Sequence, residues 1–136
     1  MENVRHYNVE KLSAELQTAV ANNKLTGPCF IGQGCSEGNG ADAWGSYIVE
    51  IRTSKTGKPI IGLVRADMVM HSSWVDETMD CSMPKDKTPT QWITVSGKYK
   101  SGAPKWWWCD KDGHKFNGMK CRLSFNGAYG HRANWL

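Results

Sequence analysis

No stretch of this chain approaches the ~20 consecutive apolar residues that a bilayer-spanning helix needs. Its first residues, MENVRHYNVEKL, lack the apolar run of a secretory signal. These two absences predict a cytoplasmic chain with no membrane partner. A disulfide scaffold is poorly served too. The five cysteines, at 29, 35, 81, 109 and 121, are an odd number, and without an export signal they read mostly as reduced thiols. Cys29 and Cys35 would pair only in an exported protein. There is no C-x2-C pair, which removes the standard zinc fingers and knuckles. Also missing are G-x-S-x-G, H-E-x-x-H, H-x-E with C-x-x-C, the phosphate-binding P-loop and the aromatic signature of RNA-recognition sheets. The glycine clusters Gly32-Gln33-Gly34 and Gly38-Asn39-Gly40 neither follow an expected strand nor open a helix, so they do not read as phosphate loops. No repeat or low-complexity tract is visible.

Phenylalanine is also scarce, at three residues against seven tryptophans. A core that needed only bulk would use Leu, Ile and Phe. Tryptophan adds a polar N–H and a broad flat face that suits stacking as well as packing. A length of 136 residues, with 40% apolar and 22% charged residues, predicts one globular domain. The net charge of +4 and a pI near 8.8 admit an anionic partner. They fall short of the pI above ~9 of a dedicated nucleic-acid domain.

Periodicity predicts a helix over 9–23, where Val9, Leu12, Leu16, Ala19 and Val20 share a face and Asn8 caps the start. Residues 32–45, rich in glycine, read as a loop. The period then switches to two. SYIVEIRT (46–53) and PIIGLVRADMVMH (59–71) read as a hairpin across SKTGK, with Ile60, Gly62, Val64, Ala66, Met68 and Met70 on a buried face. Residues 72–89 read as a long loop with a helical turn near Val75–Met79. Strands are expected at 90–100, 105–110 and 116–125, the last with Met119, Cys121, Leu123 and Phe125 toward the core. The tail after Phe125 reads as loop, with Trp135 as a late packing contact. The fold class predicted is α+β: an N-terminal helix packed on an antiparallel sheet of about five strands, with curling into a small barrel allowed by Gly62, Gly97 and Gly118 as bulges or bends.

The stretch KWWWCD poses the main question. Neighbours on a strand point to opposite faces, so one core cannot take Trp106, Trp107 and Trp108 together. The set that faces outward is either covered or forms a stacking platform. Trp92 would lie beside it if its strand pairs with theirs. Arg52, Arg65, Lys98, Lys100, Lys105, Lys120 and Arg122 fall mostly on the polar faces of these strands. Cations interleaved with aromatics on a sheet suit a nucleotide or single-stranded nucleic acid. The expected site is therefore Trp92, Trp106, Trp107 and Trp108 for rings, with Arg65, Lys98, Lys120, Arg122 and His114 for phosphates. This reading is non-catalytic and calls for no cofactor. A second copy could wall so shallow a site, which makes a homodimer an expected arrangement.

Other classes draw on the same residues. Cys109, His114, Cys121 and His131 are soft-metal ligands, but their spacing matches no zinc motif. His71, His114 and His131, with Glu50, Asp67, Asp110 and Arg65, could supply a metal-independent ribonuclease. Trp92, Trp106 and Trp108 with Asn117 and Asp110 could hold a sugar. The Trp/Arg/Met surface could instead be a hot spot for a protein partner, as in a virus-encoded inhibitor of a host enzyme.

Overall fold

The computed structural model describes residues 13–38, 42–72 and 76–133. Helix α1 (Ala14–Ala21) starts at Ser13, whose hydroxyl accepts the amide of Leu16 at 3.2 Å. It ends two residues before the predicted 23, and the predicted residues 9–12, with the expected cap at Asn8, lie outside the described residues. Asn23, just past its end, takes φ +53°, a conformation asparagine tolerates well.

The rest is antiparallel sheet: β1 (Gly34–Gly38), β2 (Ala43–Thr53), β3 (Pro59–Arg65), β4 (Asp67–Ser72), β5 (Asp76–Ser82), β6 (Gln91–Lys98), β7 (Pro104–Cys109), β8 (Lys115–Lys120) and β9 (Gly130–Ala133). Their order is β4-β5-β9-β2-β3-β6-β7-β8, with β1 on β2. The α+β class and the helix-on-sheet packing stand. The strand number does not: nine strands are described rather than about five. The hydrogen-bonded order ends at β4 and β8, so the described sheet is open and closes no barrel.

The 46–53/59–65 hairpin forms as its alternation predicts. Its turn is closed by Ser54 N–H to Lys58 O at 2.8 Å and by Gly57 at φ +86°. Two details differ. Val49 is an extra residue between Ile48↔Leu63 and Glu50↔Gly62, so this bulge puts Ile48 and Ile51 on one face instead of opposite ones. Ile60, Ile61, Leu63 and Val64 are all buried, because β3 is a central strand covered on both sides. The expected long strand 59–71 breaks at Ala66, whose N–H bonds Gly45 O at 3.0 Å.

Three segments read as loops are strands. Residues 34–38 pair with β2, 76–82 with β4, and 130–133 with β5 and β2. Trp135 and Val75 lie outside the described residues. Conversely, the expected strand 116–125 stops at Lys120. Met119 is 51% exposed rather than in the core, while Cys121 and Phe125 are buried.

Two apolar clusters result, with Ile48 and Tyr47, adjacent on β2, each serving one of them. One joins Leu25, Cys35, Ile48, Ile61, Leu63, Ile93, Cys121 and Phe125, with Leu16, Ala19 and Val20 of α1 packed against it. The other joins Tyr47, Val64, Ala66, Met83 and Ala128.

Cys29, Cys35, Cys109 and Cys121 are free thiols, and Cys29 is exposed where Cys35 is buried, too unlike for the pair the sequence allowed in an exported protein. Burial raises the thiol pKa of Cys35, lifts that of Cys109 to about 11 and that of Cys121 to about 12, and raises that of Cys29 as well. Because the thiolate is the nucleophile, alkylation of native protein at pH 8 should label Cys29 first and Cys35, Cys109 and Cys121 only on unfolding. Peptide mapping by mass spectrometry checks the order. Early labelling of Cys35 would contradict this packing.

Candidate functional site

The register answers the tryptophan question. Across β6 and β7, Ile93 pairs with Trp108, Thr94 with Trp107, Val95 with Trp106 and Trp92 with Cys109. Trp106 and Trp108 therefore share the face of Ile93 and pack on the core cluster. Trp107 and Trp92 lie on the opposite face, as the alternation of two adjacent strands requires.

That outer pair is not bare. The guanidinium of Arg52 sits 5.0 Å from the Trp92 ring centroid, and Nζ of Lys115 sits 4.5 Å from that of Trp107. Arg52 is steered there by Glu50, whose Oε2 accepts its Nε–H at 3.1 Å. Trp107 is fixed by donating Nε1–H to Ser96 O at 2.8 Å. Both cations occupy ring faces that a flat ligand would need, an arrangement typical of cation–π pairs.

The inner pair does border open space. Trp106 makes an edge contact with Phe125, ring centroids 6.2 Å apart. Its ring walls a groove of about 530 Å³ together with Leu25, Tyr99, Lys120, Arg122 and Phe125. That volume is in the range of small-ligand sites. Among the described residues no Asp or Glu lines this groove. Its mouth carries an unusual contact: Nζ of Lys105 and Nζ of Lys120 both approach the Tyr99 ring, at 5.1 and 5.0 Å. The buried Nε1 of Trp106 has no hydrogen-bond partner among the described residues. It lies against Gly27, and an unpaired buried donor costs about 1–3 kcal/mol.

The local chain explains the assembly. The turn after β6 places Tyr99, with Tyr99 N–H on Ala103 O at 2.8 Å. Gly97, at φ +82°, marks a register shift between Val95 and Lys98 that swings Tyr99 off the strand's alternation. Cys121 N–H bonds Trp106 O at 2.9 Å and lays the segment after Lys120 along the tryptophan strand. Asn126 then anchors the far wall, with Oδ1 accepting Leu25 N–H at 2.7 Å and Nδ2 donating to Leu25 O at 2.9 Å.

Of the residues singled out by sequence, Trp106, Lys120 and Arg122 come together here. Trp108 lines a separate cleft with Trp92, Phe116 and Met119. Lys98 is exposed opposite Pro104. Arg65 does not join: it ends β3 at the other end from Ile60 and leans on Trp44, 5.9 Å from the ring. His114 stands in the β7–β8 turn, Nδ1 3.2 Å from Asp110 Oδ2, and borders a second groove with Arg52, Lys55 and Lys58. Sequence reasoning assigned Phe125 to the core and gave Tyr99 no place in the site. Their contribution came from the bulge at Gly97 and the early end of β8.

Cys109, His114 and Cys121 do not gather as a metal set. Among the described residues, the ligand atoms within 4.8 Å of one another belong to half-buried Asp110 and exposed Asp112 and His114, with Lys111 and Lys115 beside them in sequence. Asp110 is committed to its own turn. Its Oδ1 accepts the N–H groups of His114 and Asp112, both at 2.9 Å, and the His114 bond above all holds its carboxyl below the usual range. That anchoring holds above the ordinary carboxylate pKa and fades as pH falls through the lowered value. The side chains of His71 and His131 lie outside the described set. No helix among the described residues is long and apolar enough to cross a membrane.

Comparison of the chain with protein-family models, with curated proteins and with solved structures gives no match. The functional argument therefore rests on the grooves themselves.

Proposed function

We propose that the protein binds an anionic, ring-bearing ligand of the nucleotide class, without catalysis, in the groove walled by Trp106. The observation that supports this reading is the composition of the wall. Aromatic residues Trp106, Tyr99 and Phe125 meet Lys120 and Arg122, with no carboxylate among the described lining residues. The ligand's ring lies along the aromatic wall, where stacking one base is worth about 1–3 kcal/mol. Its phosphate reaches toward Lys120 and the exposed fork of Arg122, both of which line the groove. A neutral sugar would leave this cluster of cations uncompensated.

Titration with a nucleoside monophosphate should quench tryptophan fluorescence, and the affinity should fall as salt rises. In Lys120→Gln/Arg122→Gln the affinity should drop about 10–100-fold, as loss of charged hydrogen bonds implies. Wild-type protein that shows no quenching, or that binds equally well without both cations, would sink the reading.

A further inference from the structure

The second groove, about 610 Å³, lies between the β2–β3 hairpin and the β7–β8 turn. Arg52 of β2 pairs with Ile60 of β3, and Ile60 with Thr94 of β6, so the three share one face of the sheet. Ile60 and Thr94 are buried and line the groove as its floor. Gly113 lies against Ile60, with room for no Cβ between them. That close approach seats the β7–β8 turn as one wall. The hairpin turn, from Ser54 to Lys58, is the other.

The two walls differ in chemistry. The hairpin wall is cationic, with Lys55, Lys58 and Arg52. Among the described residues neither lysine has an ion-pair partner. Arg52 gives its Nε–H to Glu50, which leaves its terminal nitrogens for a ligand. Ser54 Oγ and Thr56 Oγ1 lie 3.0 Å apart and share one hydrogen, so the pair keeps one O–H to donate outward. Cations with a hydroxyl donor suit phosphate oxygens. The facing wall and the floor offer acceptors instead. Asp112 brings a carboxylate that no described side chain engages. His114 spends Nδ1 on Asp110 Oδ2, 3.2 Å away, which leaves Nε2 of the neutral ring as an acceptor. Thr94 donates its hydroxyl hydrogen to Pro59 O at 2.9 Å, so toward a ligand it can only accept.

We infer that this groove is a second binding site, for a small sugar phosphate. The phosphate lies on the hairpin wall at Lys55, Lys58 and Arg52, and the sugar hydroxyls donate to Asp112, His114 and Thr94. The volume falls within the ~300–1,000 Å³ of small-molecule sites. A bare phosphate would leave the acceptors unused, and a neutral sugar would leave the cations unpaired. No aromatic side chain lines the groove among the described residues, which disfavours a ligand held by stacking. The site shares no described lining residue with the Trp106 groove, so it stands independently of the nucleotide reading.

Isothermal titration calorimetry of the full chain with glucose 6-phosphate, inorganic phosphate and glucose tests this. Glucose 6-phosphate should bind wild type at least about tenfold more tightly than either of the other two. Lys55→Gln/Lys58→Gln should weaken it about tenfold or more. Both lysines are exposed in the hairpin turn, so the variant should fold, and circular dichroism checks that it does. Lys120→Gln/Arg122→Gln, in the other groove, should leave the affinity unchanged. Asp112→Ala should cut the preference for glucose 6-phosphate over inorganic phosphate to about threefold or less. Wild-type protein that does not bind glucose 6-phosphate, or a hairpin variant that binds it undiminished, would overturn the site. Loss of binding in Lys120→Gln/Arg122→Gln would move the ligand to the Trp106 groove and overturn it too. Inorganic phosphate bound as tightly as the sugar phosphate, or a preference untouched by Asp112→Ala, would overturn the assignment of the sugar.

Discussion

Ile93→Ala should lower the stability of the protein by about 2–5 kcal/mol, the range for removing a large aliphatic side chain from a closed core. Ile93 has 0% of its surface exposed and lies mid-strand in β6. It pairs with Ile61 on one side and Trp108 on the other, and belongs to the cluster that α1 covers. Three layers of contact, strand to strand and sheet to helix, would face the void. Domains are typically stable by only ~5–15 kcal/mol, so this one change should move the denaturant midpoint far. Val69→Ala is the control: Val69 is 61% exposed on β4 and should cost no more than about 0.5 kcal/mol. Equal midpoints for the two variants, by urea unfolding followed in circular dichroism, would mean that Ile93 is not in the core.

How far the sequence could be read follows the strength of its periodicity. The 46–53/59–65 hairpin alternates cleanly around a glycine-containing turn, and it was legible. The opposed facing of Trp107 and of Trp106 with Trp108 was legible as a parity, and pairing with Ile93 decided which set goes inward. The strands at 34–38 and 130–133 were not legible. They carry glycine and polar residues with no apolar alternation, and they are strands because neighbours supply ladder partners. Ser36, for example, exchanges two backbone hydrogen bonds with Ser124, at 3.0 and 2.8 Å. Such order is imposed by tertiary contact, which local propensity does not record.

The candidate site was half legible for a related reason. Trp106, Lys120 and Arg122 were chosen by type and strand face. Arg65 was chosen on the same grounds and lies at the wrong end of β3, because facing fixes a side of the sheet and not a place along it. Lys55 and Lys58 are set in the hairpin turn beside Arg52 of β2, and lysine in turns is routine. Only the fold shows that the β7–β8 turn closes over them. Gly113 approaches so near to Ile60 that an added Cβ would stand 2.9 Å from its Cδ1.

Among the described glycines, Gly34→Ala should be the most damaging added methyl, at about 1–3 kcal/mol or more, the cost of overpacking a tight contact. A Cβ at Gly34 would lie 2.5 Å from the amide nitrogen of Ala128 and 3.0 and 3.1 Å from the carbonyl carbon and Cα of Gly127. All three are backbone atoms, which cannot swing aside as the tip of a side chain can. Backbone conformation is not the obstacle, because Gly34 is not among the positive-φ glycines. The obstacle is that Gly127 N–H bonds Gly34 O at 3.1 Å and Ser36 Oγ bonds Gly127 O at 3.0 Å, clamping the two segments together. Gly102→Ala gives the contrast. It has open space around the missing Cβ and φ +89°, so its cost is conformational, about 1 kcal/mol. The effect of Gly34→Ala should also reach the proposed site. Pushing residues 127–128 away pulls on Asn126 and Phe125, which wall the Trp106 groove, and on the Gln33 Nε2–H bond to Phe125 O at 2.9 Å. The variant should therefore lose both stability and the fluorescence response to a mononucleotide, whereas Gly102→Ala should lose a little stability alone. If Gly34→Ala proves milder than Gly102→Ala in urea, the 34–38 strand does not press against residues 127–128.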